Sequence, residues 1–200
     1  MPNIGFWATA GAGGAAAGAM ELIATQTVGV TGSVTFSSIP QDFKHIRLIW
    51  NANENATTDA YDVSMAVNLN GDYGQAYFTN SQAFGQGSLQ AITGTYNSNG
   101  NYAYLERVLR AANVNVLGPT WSYGEIWIPN YASTAFSRRT IAARGGQRAR
   151  SSQRAWVASL GYNNGAAVNS ITLRPRHPDS YNSWLNFQSG SSFTLYGYRG

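Results

Sequence analysis

For acid–base, nucleophilic or metal chemistry this 200-residue chain has only two histidines and nine acids, and no cysteine, beside its hydroxyl and amide side chains and a single lysine. Without cysteine there can be no disulfide, thiolate metal site or cysteine nucleophile. His177-Pro-Asp179-Ser180 collects the letters of a hydrolytic triad, but a triad is made by geometry across a fold, not by adjacency in sequence. His45 falls in a strand pattern on the face opposite Ile46 and Leu48, where an ordinary sheet residue is expected. A glycan-cleaving enzyme needs two carboxylates ~5–10 Å apart across a cleft, and the acids here are scattered. The reading is therefore of a chain that is not an enzyme, with no catalytic residue assigned.

Asn68, Asn70 and Asp72 set oxygens around Gly71, and Asp59 and Asp62 lie nearby. Calcium takes about six to eight oxygens, in helical loops closed by a glutamate, and that closing residue is missing. An Asn-Gly hairpin turn demands the same residue types, so a turn is expected and no metal. Gly11-Ala-Gly13-Gly14-Ala-Ala16 fits the spacing of a dinucleotide fingerprint. That mechanism needs a preceding strand, a following helix and an acid about twenty residues on. No acid lies between Glu21 and Asp42, so no nucleotide or other cofactor is assigned.

Arginine is the pronounced charge feature. Twelve of the thirteen basic residues are arginine, and the interval between Glu125 and Asp179 carries eight of them without one acid. Arg138, Arg139, Arg144, Arg148, Arg150 and Arg154 form its core. Arginine makes bidentate contacts and is enriched in protein interfaces, where lysine is depleted. Docking onto an acidic partner surface ranks first, a solvated loop second and nucleic acid last, because no recognition motif accompanies the arginines. In one continuous strand Arg138 and Arg144 would share a face; Gly145-Gly146 is expected to interrupt it, leaving Arg148 and Arg150 in a loop.

The elements that must position these groups read as strands. Val34/Phe36, Ile46/Leu48/Trp50, Val63/Met65/Val67/Leu69, Gly124/Ile126/Ile128, Trp156/Ala158/Leu160, Val168 to Leu173 and Phe193/Leu195 alternate with their neighbours in period two. Roughly eight to ten strands separated by Gly, Asn, Ser and Pro turns predict an all-β, antiparallel β-sandwich of jelly-roll type. Tyr102 to Asn113 alone looks helical, with Leu105, Val108, Leu109 and Ala112 on one face and Glu106 four residues before Arg110. One short helix at most is expected there.

Charged residues are 11% of the chain and aromatics 13%, against a typical charged share of ~25%. A surface of tyrosine and small polar residues suits contact with proteins or sugars. Tyr96, Tyr102, Tyr104, Tyr181 and Trp184 lie in Asn/Ser/Gly-rich stretches where sugar-stacking residues would sit, though such aromatics also fill cores. Residues 1–19 are uncharged, rich in Gly and Ala, and carry Phe6 and Trp7. They lack the basic and leucine-rich regions of a signal peptide and are too weakly apolar to insert in a membrane. They are read as an extended attachment arm anchored by Phe6 and Trp7, with residues 20–200 as the sandwich.

The opening Met1-Pro-Asn-Ile-Gly-Phe-Trp-Ala-Thr-Ala-Gly, the run ELIATQTVG from Glu21, and VTFSSIPQDFKHIRL from Val34 to Leu48 resemble a loose family of bacteriophage virion structural proteins. VNLNGD (Val67 to Asp72), SITLRP (Ser170 to Pro175) and SGSSFTLYGYRG (Ser189 to Gly200) are similar to the same family. The stretch from Tyr73 to Arg154, with its arginine run, does not share the likeness. The resemblance implies a structural role in the virion, made in the host bacterial cytoplasm. Its expected form is a capsid decoration (cement) protein docking through its arm on the major capsid protein, as a homotrimer. The alternative is a short tail fibre on tail or baseplate proteins that binds a host glycan. No membrane partner is implied.

Overall fold

A computed structural model describes residues 18–55, 62–74, 77–85, 102–110, 121–135, 139–148, 153–177 and 183–200. Eleven strands account for most of them: β1 (Met20–Thr27), β2 (Val34–Phe36), β3 (His45–Ala52), β4 (Asp62–Leu69), β5 (Tyr77–Gly85), β6 (Ala103–Arg110), β7 (Ser122–Pro129), β8 (Arg139–Arg148), β9 (Gln153–Tyr162), β10 (Ile171–Arg176) and β11 (Ser192–Tyr198). A seven-stranded sheet in the order β1-β11-β3-β7-β8-β9-β5 faces a four-stranded sheet in the order β2-β10-β4-β6. Every strand pairing is antiparallel. The architecture is the expected all-β sandwich, and the described residues contain no helix.

Alternation places the core as the sequence suggests. Ile46, Leu48, Trp50, Ile126, Ile128, Leu160, Phe193 and Leu195 point inward from the large sheet, and Val34, Phe36, Val63, Met65, Val67, Leu69, Ile171 and Leu173 from the small one. The Tyr77 hydroxyl pins the sheets together, donating to the Leu69 carbonyl (3.0 Å) and accepting from its amide (2.8 Å). Leu69 leads into a tight turn, where Asn70 and Gly71 both hold positive φ (59° and 64°), as in a type I′ turn. It is not the expected hairpin, because β4 and β5 lie in different sheets and do not pair. Asn70 then braces the next crossing, its Oδ1 accepting from the Asn169 amide at 2.8 Å. Asp72 is spent locally: its carboxylate accepts from the Gly74 amide (2.8 Å), Asn164 (2.7 Å) and Tyr162 (3.3 Å). These bonds to Asn164 and Gly74 hold its pKa below the ordinary aspartate value.

The expected helix at Tyr102 to Asn113 is instead strand β6, followed by residues outside the described set. Leu105 and Leu109, four apart, both face the core. They oppose Met65 and Val63, only two apart on β4, because the pairing shifts register between those points. Residues four apart share a face in a strand as well as in a helix. The bulge, which absorbs two extra residues, also buries Val108, three from Leu105, and so copies the i, i+3, i+4 pattern of a helix. Val168 is buried but lies ahead of β10, which begins at Ile171.

Gly145-Gly146 does not interrupt its strand either: β8 runs straight through it. One rung across the inner face of the large sheet explains this. Trp50 is paired with Gly124, Gly124 with Gly145, and Gly145 with Trp156. The two glycines leave the space into which both indoles lean, and the rings stack with centroids 5.8 Å apart at 18°. A Cβ at Gly124 would collide with both rings, and one at Gly145 with Trp156 and the Tyr123 backbone. Both indole N–H groups are buried without an acceptor among the described residues, so packing carries the rung. Gly124→Ala is expected to cost about 1–3 kcal/mol through overpacking, and Gly145→Ala a comparable amount. Denaturant melts would check this, with unchanged stability in both variants counting against the rung.

Candidate functional site

The outer face of the seven-stranded sheet holds the chain's most organised polar group. The register that joins Gly124 to Gly145 also sets Glu125 directly opposite Arg144, Trp127 opposite Ala142, and Arg47 opposite Trp127. Oppositely charged side chains facing each other across antiparallel strands attract. The Glu125 carboxylate bridges both arginines: Arg47 Nε donates to it at 2.8 Å, and close contacts from Arg47 Nη2 and Arg144 Nε complete the bridge. Tyr123 donates its hydroxyl to the same carboxylate at 3.3 Å.

Burial by itself would push the Glu125 pKa up, but the hydrogen bonds from Arg47 and then Arg144 outweigh it and hold the carboxyl below its ordinary value. Arg47 is raised, first by its hydrogen bond to Tyr198 and then by that to Glu125. The two arginines end up in different surroundings. Arg47 is 25% exposed and closed in by Glu125 and Tyr198, whereas the Arg144 side chain is 69% exposed. Arg144 gives only Nε to Glu125, and no described residue accepts from its two terminal nitrogens.

Aromatic rings frame this cluster. Tyr198 meets Trp127 edge to face at 4.6 Å, and His45 lies 5.3 Å from the same indole. His45 is a sheet residue as expected, its Nδ1 accepting the Asn130 amide at 3.0 Å. Partial burial, and then Lys44, hold its pKa below the usual histidine value. Arg47, Glu125, Trp127, Ala142, Arg144 and Val157 line an open concavity of about 460 Å³.

Of the sequence-predicted docking residues, only Arg144 is seen in this cluster. Arg139 opens β8, Arg148 closes it opposite Gln153, and Arg154 lies in β9 opposite Gln147. Phe6, Trp7, Arg138 and Arg150 lie outside the described residues, as do the Gly11–Ala16 fingerprint, Tyr96 and Tyr181. Of the candidate sugar-stacking residues that are described, Tyr102 and Tyr104 are buried at the outer face of the small sheet, packed with the partly buried Trp184 over Ala66. Arg174 stacks on Trp184 and Arg176 on Tyr104, each 4.0 Å from the ring centroid. The rings are occupied because β4 offers only the small Ser64, Ala66 and Asn68 outward, leaving room for them to lie down. Sequence reasoning missed Arg47, Glu125 and Trp127 as a site. Alternation had put them on the solvent face, but the pairing of β3 with β7 is not written in it.

No family model, curated protein or solved structure matches this chain. Among the described residues, no three His, Cys, Asp or Glu side chains gather as a metal site would require. What the cluster does is electrostatic. Glu125 fixes two guanidinium groups and leaves one positive charge in excess.

Because the folded pKa of Glu125 lies below its unfolded value, its stabilisation is present above the ordinary glutamate range and is lost as pH falls through the folded pKa. Glu125→Gln should cost about 1–2 kcal/mol near neutral pH, discounted for the exposure of Arg144. It should also flatten the loss of stability below about pH 4.5. Urea melts from pH 7 to pH 2.5 measure both; equal acid sensitivity in the variant would remove Glu125 from the account.

Proposed function

We propose that this chain is a structural protein of a bacteriophage virion that works by contact, as a capsid decoration (cement) protein attached through its N-terminal arm. The observation that carries the reading is the open outer face of the large sheet. All seven strands bring non-polar or arginine side chains to it: Met20 and Leu22, Tyr196 and Tyr198, Arg47 and Ile49, Tyr123 and Trp127, Arg144, Val157, and Phe78. Five of these are among the exposed large apolar residues: Met20, Leu22, Phe78, Tyr123 and Val157. Aromatic residues and arginine are the types that protein interfaces favour. Glu125 is spent holding arginines, which suits a binding surface better than acid–base work.

The root of the arm also supports the reading. The Gly18 amide donates to the Arg199 carbonyl at 2.6 Å, and Arg199 pairs with Glu21 (2.7 Å) and Asp42 (2.9 Å). Residues 1–17 therefore start from a fixed point beside Met20 and Tyr198, at the rim of the outer face. The likeness of both ends of the chain to phage virion proteins supplies the setting, the homotrimer and the virion location. The chain crosses between sheets at most of its connections, a habit of jelly-roll domains, and the jelly-roll label belongs to the same proposal. A second reading, a short tail fibre that binds a host glycan, is favoured by the concavity, whose volume lies in the range of small-ligand sites.

Deletion of residues 1–17 leaves the bonds of Gly18 and Ala19 to Arg199 in place, so the melting curve of the sandwich should not move. Binding to particles that lack the protein should fall at least tenfold, read by co-sedimentation and by density on the shell in electron micrographs. Full occupancy by the truncated chain, or density confined to the tail, would overturn the decoration reading.

A further inference from the structure

The concavity on the outer face has a feature that stabilising the sandwich does not require. Arg144 is oriented by one carboxylate through Nε alone, while its Nη1 and Nη2 edge faces solvent at the centre of an apolar surface. A guanidinium held this way presents a planar pair of donors that matches a carboxylate in bidentate geometry. Arg47 and Arg144 carry two positive charges against the single charge of Glu125, so a second anion would complete the cluster. Val157, the register neighbour of Arg144 on β9, is 45% exposed, and Tyr123 on the other side is 46% exposed. An incoming carboxylate would thus arrive with apolar contact on either side.

The size of the face decides which kind of molecule brings that carboxylate. Seven strands at normal spacing, some eight residues long, make a surface roughly 29 Å by 26 Å, on the order of 750 Å². That is close to the ~800 Å² per partner of a standard protein interface. Trp127 already has Tyr198 and His45 packed on its ring, which leaves less indole for a sugar to stack on. A second copy laid face to face would set one net-positive arginine pair against another, and like charges brought together in an interface repel.

We infer that the outer face of the seven-stranded sheet is the docking surface for a different protein, whose contact patch is apolar and carries an acidic side chain that takes the open fork of Arg144. This deepens the proposed function by naming the partner's chemistry, and it is separate from the arm.

Three immobilised probes test it by biolayer interferometry: a 4:1 glutamate–tyrosine copolymer, polygalacturonate and polylysine. The intact protein is expected to bind the copolymer at low ionic strength and not polylysine. Arg144→Ala should weaken that binding at least tenfold, and Arg144→Lys by several-fold, because lysine keeps the charge and loses the fork. Val157→Glu, which places a carboxylate opposite Arg144 within the same molecule, should remove binding while the melting curve stays cooperative. Arg174→Gln takes the same charge from the other sheet and should change nothing. Undiminished binding by Arg144→Ala, or an equal loss in Arg174→Gln, overturns the inference. Tighter, Arg144-dependent binding of polygalacturonate overturns it in favour of an acidic sugar. If only these results fail while the full chain still coats particles, the decoration reading stands and the docking face alone is wrong.

Discussion

The Trp50–Gly124–Gly145–Trp156 rung is the constraint on which the rest of the large sheet depends. It admits one register among β3, β7, β8 and β9, because only there do two indoles meet two residues without side chains. Side chains alternate strictly between faces, so a slip of a single residue would turn the tryptophans out to water and bring Glu125 and Arg144 into the core. The same register, read from the other face, aligns Glu125 with Arg144 and Trp127 with Arg47. The outer face proposed for docking is thus the reverse side of a packing solution, held rigid by contacts that it does not itself make.

Few charges are present, and those described are placed with care. Glu125 is shared between Arg47 and Arg144, Asp72 is consumed by Gly74, Asn164 and Tyr162, and Arg199 gathers Glu21 and Asp42 over the Phe43 ring. Exposed ion pairs such as those of Arg199 add little to stability one at a time. The effect of both ion-pair clusters is positional: Arg199 fixes where the N-terminal segment leaves the sandwich, and Glu125 fixes which edge of Arg144 meets solvent.

The two outer faces use similar residues to opposite ends. On the small sheet, Arg174 and Arg176 lie on Trp184 and Tyr104, and Tyr102 packs beneath, so rings and guanidinium groups satisfy one another. On the large sheet the strands carry bulkier outward residues side by side, and no described segment crosses over them. Aromatics and arginines are therefore closed and structural on one face, open on the other. Composition alone does not distinguish these fates, since both faces draw on the same pool of tyrosine, tryptophan and arginine.

Alternation in the sequence determined the all-β class, the inward faces of β2, β3, β4, β7, β9 and β11, and the Asn70-Gly71 turn, because each follows from the two-residue period of a strand or from local backbone conformation. Spacing misled where tertiary structure altered the period. The bulge in β6 buried Val108 beside Leu105 and Leu109 and so gave them a helical pattern, and Gly145-Gly146 looked like a break although Trp156 and Trp50 need the room. Only the folded sheet decided that Arg47, Glu125 and Arg144, separated by 78 and 19 positions along the chain, would meet. Strand pairing is a contact between distant segments, and a pattern read along one segment at a time holds no information about which other segment lies beside it.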